Sequence, residues 1–180
     1  ICNTVKSCTE KAKSILEHIE NNDFDIEVIC LHSRFFQKHR KEKEKRILEC
    51  FGKDSIKENI ILITTQIVEV GLDISCDVML TEVSPINSFL QRIGRSARWG
   101  DESQIYVFHP EKEYVYNKKL TESTFQVLLE NEKKVIDGDV TQLLLSEILT
   151  DFEESIFKMI KDGASNTDES IKLAWMTGNK

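Results

Sequence analysis

"IILITTQIVEVGLDIS", residues 60–75, decides the architecture of this 180-residue chain. A short apolar run, read as a strand, delivers Thr64 and Thr65 at its C-terminal end and then breaks into a turn holding Gly71 and Asp73. Open α/β sheets collect their ligands at that end of their strands. Hydroxyls and backbone N–H groups there suit phosphate oxygens, and a carboxylate at the bend suits a ribose hydroxyl. A loop whose Gly and Asp only shape a turn would look the same from these residues alone.

Working outward, the same alternation recurs on both sides. "ICN" (1–3) reads as the end of a buried strand, and Thr9 precedes a segment with Ala12, Ile15, Leu16 and Ile19 at helical spacing. Residues 26–31 read as a strand and 37–51 as a helix stopping near Gly52. Strands are expected at 77–83 and 104–109, with a helix at 87–98 capped by Asn87 after Pro85. Short apolar strands separated by helices predict an α/β fold, a mostly parallel sheet covered on both faces. Beyond Pro110 the character changes. Residues 112–132 and 140–161 carry helix-period apolar positions, notably Leu144, Ile148, Phe152, Ile156 and Ile160, with Asp139 as cap and Gly163 as stop. The division expected is therefore 1–110 and a helical extension over 111–180.

Composition sets bounds on function. Charged residues make up 31% and hydrophobic ones 40%, ordinary for a globular chain, and no apolar run approaches a membrane span. A cytoplasmic protein is expected. "ICNTVKS" reads as cut mid-strand, so a piece of a longer chain is expected. The five cysteines show no CxxC spacing and read as reduced core thiols, and neither they nor the four histidines form a metal-ligand set. The net charge of −7 is uneven: residues 1–110 hold 15 Lys+Arg against 17 Asp+Glu, a balance of −2, and residues 111–180 hold 9 against 14, a balance of −5.

Two further stretches could carry chemistry. In "QRIGRSARWG" (91–100) a helix would stack Gln91, Arg95 and Arg98 on one stripe, with Leu90, Ile93 and Ala97 turned to the sheet. Two arginines on one polar stripe repel unless an anion faces them, and guanidinium forks suit phosphate. Gly94 inside such a helix suggests close approach of backbone or ligand. Pairing with local acids such as Asp101 and Glu102 is the plainer alternative. In "CLHSRFFQKHR" (30–40) a strand end enters a helix, where Ser33, Arg34, Gln37 and Arg40 could contact a nucleic-acid backbone, aided by the helix dipole. Lys41–Arg46 alternates charges and reads as a solvated face.

Taken together, "LHSRF", "ITTQIVEVGLDIS" and "QRIGRSAR" resemble, in order and spacing, motifs IV, V and VI of the second RecA-like domain of superfamily 2 helicases. "NTV" and "TEVSPINSFLQRIGRSARWG" are similar to the CRISPR-associated helicase–nuclease of type I interference systems. The resemblance covers about residues 1–110. It implies a RecA-like three-layer sandwich acting in antiviral defence as part of an ATP-dependent single-stranded DNA helicase. It further implies that Gln91, Arg95 and Arg98 approach the ATP phosphates, with Arg98 as arginine finger. Gly71 and Asp73 would lie on the nucleotide side, and Thr64, Thr65, Ser33 and Arg34 would hold the DNA backbone. Arg92 would brace the domain through a salt bridge.

No GxxxxGK[ST] occurs in the chain, and "DESQ" (101–104) precedes its strand where a metal-binding acidic motif would end one. By the resemblance, ATP and Mg²⁺ would be held mainly by the first RecA-like domain, and this chain alone would hydrolyse nothing. Implied partners are single-stranded DNA, that first domain, a nuclease domain and a CRISPR RNA-guided surveillance complex, with no membrane. Two alternatives stay open: another superfamily 2 DNA or RNA helicase, or a non-catalytic RecA-like module whose acidic tail binds a basic partner. The reading requires the Arg95–Arg98 edge to be open at the sheet's carboxyl rim.

Overall fold

The computed structural model describes residues 1–55, 59–100, 102–110 and 115–137, and beyond these 140–142, 144–146 and 148. Helix α1 (Val5–Asn22) opens on Thr4, whose hydroxyl accepts the Ser7 N–H at 2.9 Å, so the cap lies earlier than Thr9. Strand β1 (Glu27–Leu31) leads into α2 (Gln37–Phe51), which ends at Gly52 as its periodicity predicts. Strand β2 (Ile60–Thr64) is followed by a 3₁₀ turn at Gln66–Val68. Then come β3 (Val78–Glu82), α3 (Ile86–Ile93), β4 (Gln104–Phe108) and α4 (Lys118–Glu130).

Among the described residues all strand pairing is parallel. β1 pairs with β2 from Glu27↔Ile60 to Leu31↔Thr64, and β3 with β4 from Val78↔Gln104 to Glu82↔Phe108. Residues 1 and 2 lie between these pairs: the Cys2 N–H donates to the Thr64 carbonyl at 2.8 Å, and Ile1 accepts from the Glu82 N–H at 2.9 Å. The first residues thus take the place the sequence predicts for a strand end, without forming a full strand.

Strand side chains alternate between faces, and the core divides accordingly. Ile29, Leu31, Ile60 and Leu62 pack with Ile47 and Phe51 of α2 and with Val68, Leu72 and Ile74 of the loop after β2. Val28, Cys30, Ile61 and Ile63 pack on the opposite face with Cys8, Ala12 and Ile15 of α1. On β3, Ser7 of α1 reaches Glu82 while Arg92 of α3 reaches Thr81, so α1 and α3 also sit on opposite faces. Three layers result.

All five cysteines are free thiols, and Cys8 Sγ lies 3.7 Å from Cys30 Sγ. Hydrogen bonding from Cys8 pulls Cys2 and Cys30 down to about 7 and pushes Cys8 up, as one cluster shares its protons.

The chain divides into two units, Ile1–Glu130 and Asn131–Lys180. Helix α4 therefore belongs with the first, where it packs on α3. In the second, the Asp137 carboxylate accepts the Val140 N–H at 2.9 Å and caps the helical residues from 140, the role expected of Asp139. Leu144 and Ile148 are buried as their spacing predicts. Asp139, Phe152, Ile156, Ile160 and Gly163 lie outside the described residues. Among the described residues, no helix is long and apolar enough to cross a membrane.

Candidate nucleotide and nucleic-acid interface

The helix carrying the arginine motif is shorter than its periodicity suggests. α3 ends at Ile93, and Gly94 closes it in ordinary right-handed conformation. Its buried stripe is Ile86, Phe89 and Arg92, spaced by three, and Leu90, Ile93 and Ala97 are only half-buried. Pro85 occupies the cap position expected of Asn87. Beyond Gly94 the chain leaves the helix because loop partners claim its backbone: the Arg95 carbonyl accepts the Cys76 N–H at 3.1 Å, and Ser96 forms a parallel bridge with Cys76. Ala97 then turns left-handed at φ +50°. Gln91, Arg95 and Arg98 therefore do not share a helical stripe. A Cβ on Gly94 would come no closer than 3.4 Å to the protein, at the helix's own Leu90 carbonyl, so the close backbone approach expected there is not made.

Arg92, in line with two large apolar residues, is fully buried and uses every donor it has. Nε donates to Glu69 Oε1 at 2.8 Å; Nη1 donates to Thr81 Oγ1 and the Glu82 carbonyl at 3.0 and 2.9 Å; Nη2 donates to Asn3 Oδ1 at 2.9 Å and Tyr116 at 3.4 Å. The expected salt bridge is present, with side-chain exposures of 0% for Arg92 and 8% for Glu69. Gln66 Nε2 donates to the Asn3 carbonyl and the Tyr116 hydroxyl, each at 2.9 Å. Glu82, also buried, accepts the Asn3 N–H at 2.6 Å and the Ser7 hydroxyl at 2.5 Å. Asn3, Gln66, Glu69, Glu82 and Tyr116 were not singled out by motif. The signal available was an arginine on an apolar stripe, which requires buried acceptors.

The other two arginines face outward from this network. Arg95 is half-buried: Nη2 donates to the Glu69 carbonyl at 2.9 Å, and Nε is buried without a partner among the described residues. Burial lowers its pKa, the Arg98 charge lowers it further, and Asp73 partly offsets both. Arg98 is exposed. Its Nε lies 2.5 Å from Asp73 Oδ1, its Nη1 donates to the Gly94 carbonyl at 3.1 Å, and its N–H donates to Ser75 Oγ at 3.0 Å. The carboxylate that meets Arg98 is Asp73, and Asp101 lies outside the described residues. Gly71, at φ +90° with open space around it, gives the loop a turn that L side chains rarely take. Gln91 is exposed on α3.

The third group lies at the ends of β1 and β2. Thr64 and Thr65 are buried, at 2% and 4% exposure; the Thr65 N–H donates to the Leu31 carbonyl at 3.3 Å, and the Thr64 hydroxyl to the Thr65 carbonyl at 3.3 Å. Ser33 and Arg34 are exposed beyond Leu31, the Arg34 N–H donating to His32 Nδ1 at 3.3 Å. Helix α2 starts without a side-chain cap. Among the described residues no group of three or more His, Cys, Asp or Glu could hold a metal.

The family model described as CRISPR-associated nuclease/helicase Cas3, C-terminal, matches residues 1–101. The chain belongs to this family. A putative Cas3 nuclease/helicase of Methanocaldococcus jannaschii is 32% identical over 167 residues, 88% of this chain and 21% of that protein. Among solved structures, T. fusca Cas3-ATP superposes with a TM-score of 0.73 at 23% identity, covering 91% of this chain and 22% of that one. A CRISPR RNA-guided surveillance complex in a pre-nicking state has a chain matching at 0.64 and 24%, covering 91% and 23%. The expected RecA-like fold and membership of the Cas3 helicase family are thus established. The chain spans about a fifth or less of the curated relatives it first matches, between 16% and 21%. The stretch resembling motif VI reaches the one resembling motif V through all three arginines: Arg92 and Arg95 to Glu69, Arg98 to Asp73.

Proposed function

We propose that this chain is the C-terminal motor domain of an ATP-dependent single-stranded DNA translocase in CRISPR interference. Residues 1–110 act as the second RecA-like domain, in the cytoplasm, and 111–180 as a helical extension whose first helix, α4, belongs to the same unit as that domain. The observation that supports this is Arg98: an exposed guanidinium held by one solvated carboxylate, beside Arg95 with a donor unused. An exposed ion pair is worth about 0–1 kcal/mol, so a polyanion displaces Asp73 cheaply. These donors suit triphosphate oxygens.

Arg98 then exchanges Asp73 for the γ-phosphoryl oxygens, and Arg95 adds its free N–H. Asp73, released, accepts a ribose hydroxyl, with Gly71 keeping the loop clear of the nucleotide and Gln91 oriented towards the phosphates. Bound ATP supplies the phosphoryl group, and Mg²⁺ takes its protein ligands from the first RecA-like domain. The arginines meet the phosphates only when the two domains close, which couples turnover to movement of Ser33, Arg34, Thr64 and Thr65 along the strand. With Thr64 and Thr65 largely covered, their share of the DNA contact is small compared with that of Ser33 and Arg34. A nuclease domain and an RNA-guided surveillance complex complete the assembly.

The test is Arg98→Ala in the intact enzyme. ATP turnover should fall about 10³-fold or more, with ATP affinity kept within a few fold. Undiminished turnover would reject the finger assignment.

A further inference from the structure

Two consecutive phenylalanines after β1 have opposite fates. Phe35 is half-buried, stacked on His32 with centroids 4.3 Å apart and planes at 23°, and the Lys43 ammonium sits 4.9 Å from its centroid. Phe36 is 82% exposed, with the His39 ring 6.3 Å away and nearly perpendicular, at 86°. Leaving a whole aromatic ring in water forgoes about 1.5–3 kcal/mol of burial. A single exposed apolar residue needs no explanation by itself. The setting of this one is distinctive. Residues 32–43 hold five Lys or Arg (Arg34, Lys38, Arg40, Lys41, Lys43) against one acid, Glu42, in a chain of net charge −7. Arg40 is taken by Glu44 at 2.7 Å, but Arg34 has no ion pair among the described residues. The segment lies on the carboxyl rim, since Leu31 at its root accepts the Thr65 N–H.

We propose that Phe36 is a stacking platform for an unpaired nucleobase, placed beside the cations that hold the strand's phosphates. The inference rests on the single-strand reading above and adds to it a contact with bases, which phosphate and hydroxyl partners cannot supply. An aromatic face accepts any base but only an unstacked one, so Phe36 favours single strands over duplex without reading sequence.

The test compares binding of the 180-residue chain to oligo(dT) of roughly 12 nucleotides and to an abasic strand of equal length. Phe36→Ala should weaken oligo(dT) about thirtyfold, the middle of the 1–3 kcal/mol per stacked base, and change abasic binding less than about twofold. Phe36→Trp should restore the preference. Arg34→Ala should weaken both strands equally and reduce the salt slope by about one. Equal effects of Phe36→Ala on both strands, or none on either, overturn the platform, the latter pointing to a protein-binding ring. Those outcomes leave the phosphate contacts standing. Failure of the wild-type chain to bind either strand overturns the platform together with the single-strand reading.

Discussion

Arg92 and Arg98 stand six residues apart in one motif, and each pairs with a carboxylate from the same loop, yet the two pairs do opposite things. Glu69–Arg92 is sealed, with all five guanidinium N–H groups placed on protein oxygens. Asp73–Arg98 lies open, at 39% exposure for the arginine and 67% for the aspartate. Breaking the first strands a buried charge; breaking the second returns two charges to water. The proposed motor role would use both kinds: one arginine that never lets go of the loop, and one that lets go when a better anion arrives.

Arg92→Ala should produce the largest loss of stability. Removing one partner of a buried pair costs about 3–5 kcal/mol, and here it also takes the guanidinium donor from Asn3 Oδ1. Urea unfolding of the chain would read this as a lowered midpoint. Arg92→Lys should recover little, since one ammonium cannot reproduce a five-donor fork. A loss below about 1 kcal/mol would mean that the pair is not sealed, and the contrast with Arg98 would disappear.

Much of this was legible in the sequence, and the failures have a common cause. Helix α2 matches its periodicity from Gln37 to Phe51, and each strand matches its apolar run to within a residue, because local pattern and burial agree there. α3 does not, because Cys76 draws the backbone of Arg95 and Ser96 out of the helix, a partner 19 residues away that periodicity cannot register. Spacing alone also could not say which arginine points inward. The line Ile86, Phe89, Arg92 carried that information, read as a stripe in which the third member happens to be charged. Tyr116 had no local signal at all: its role depends on the segment after β4 folding back to Gln66.

The open pair gives a smaller effect of the same kind. In a double-mutant cycle on stability, Asp73→Ala and Arg98→Ala should couple by no more than about 1 kcal/mol. Raising the salt from about 0.05 to 0.5 M should shrink that coupling, since the pair is solvated and screened. The Glu69–Arg92 cycle should keep its coupling in the same salt series. Equal salt sensitivity in the two cycles would show that exposure does not separate them.

Smallest is the effect of an arginine with no carboxylate beside it. His32 is held below its ordinary pKa, first by burial, then by the charges of Arg34 and Lys43, against an opposing hydrogen bond from its own backbone. Because the folded value lies below the unfolded one, the unfolded chain binds more protons between the two. The residue's contribution to stability is thus full above the unfolded value near 6.5 and is lost as pH falls through the folded one. Followed by NMR, the His32 ring should titrate below that reference, and Arg34→Ala should move its midpoint upward. Asp73 mutes Arg98 by pairing with it; Arg34 has no such partner among the described residues, so its charge should be measurable on the nearest titrating ring. An unmoved midpoint would mean that solvent already screens Arg34, leaving burial alone to depress His32.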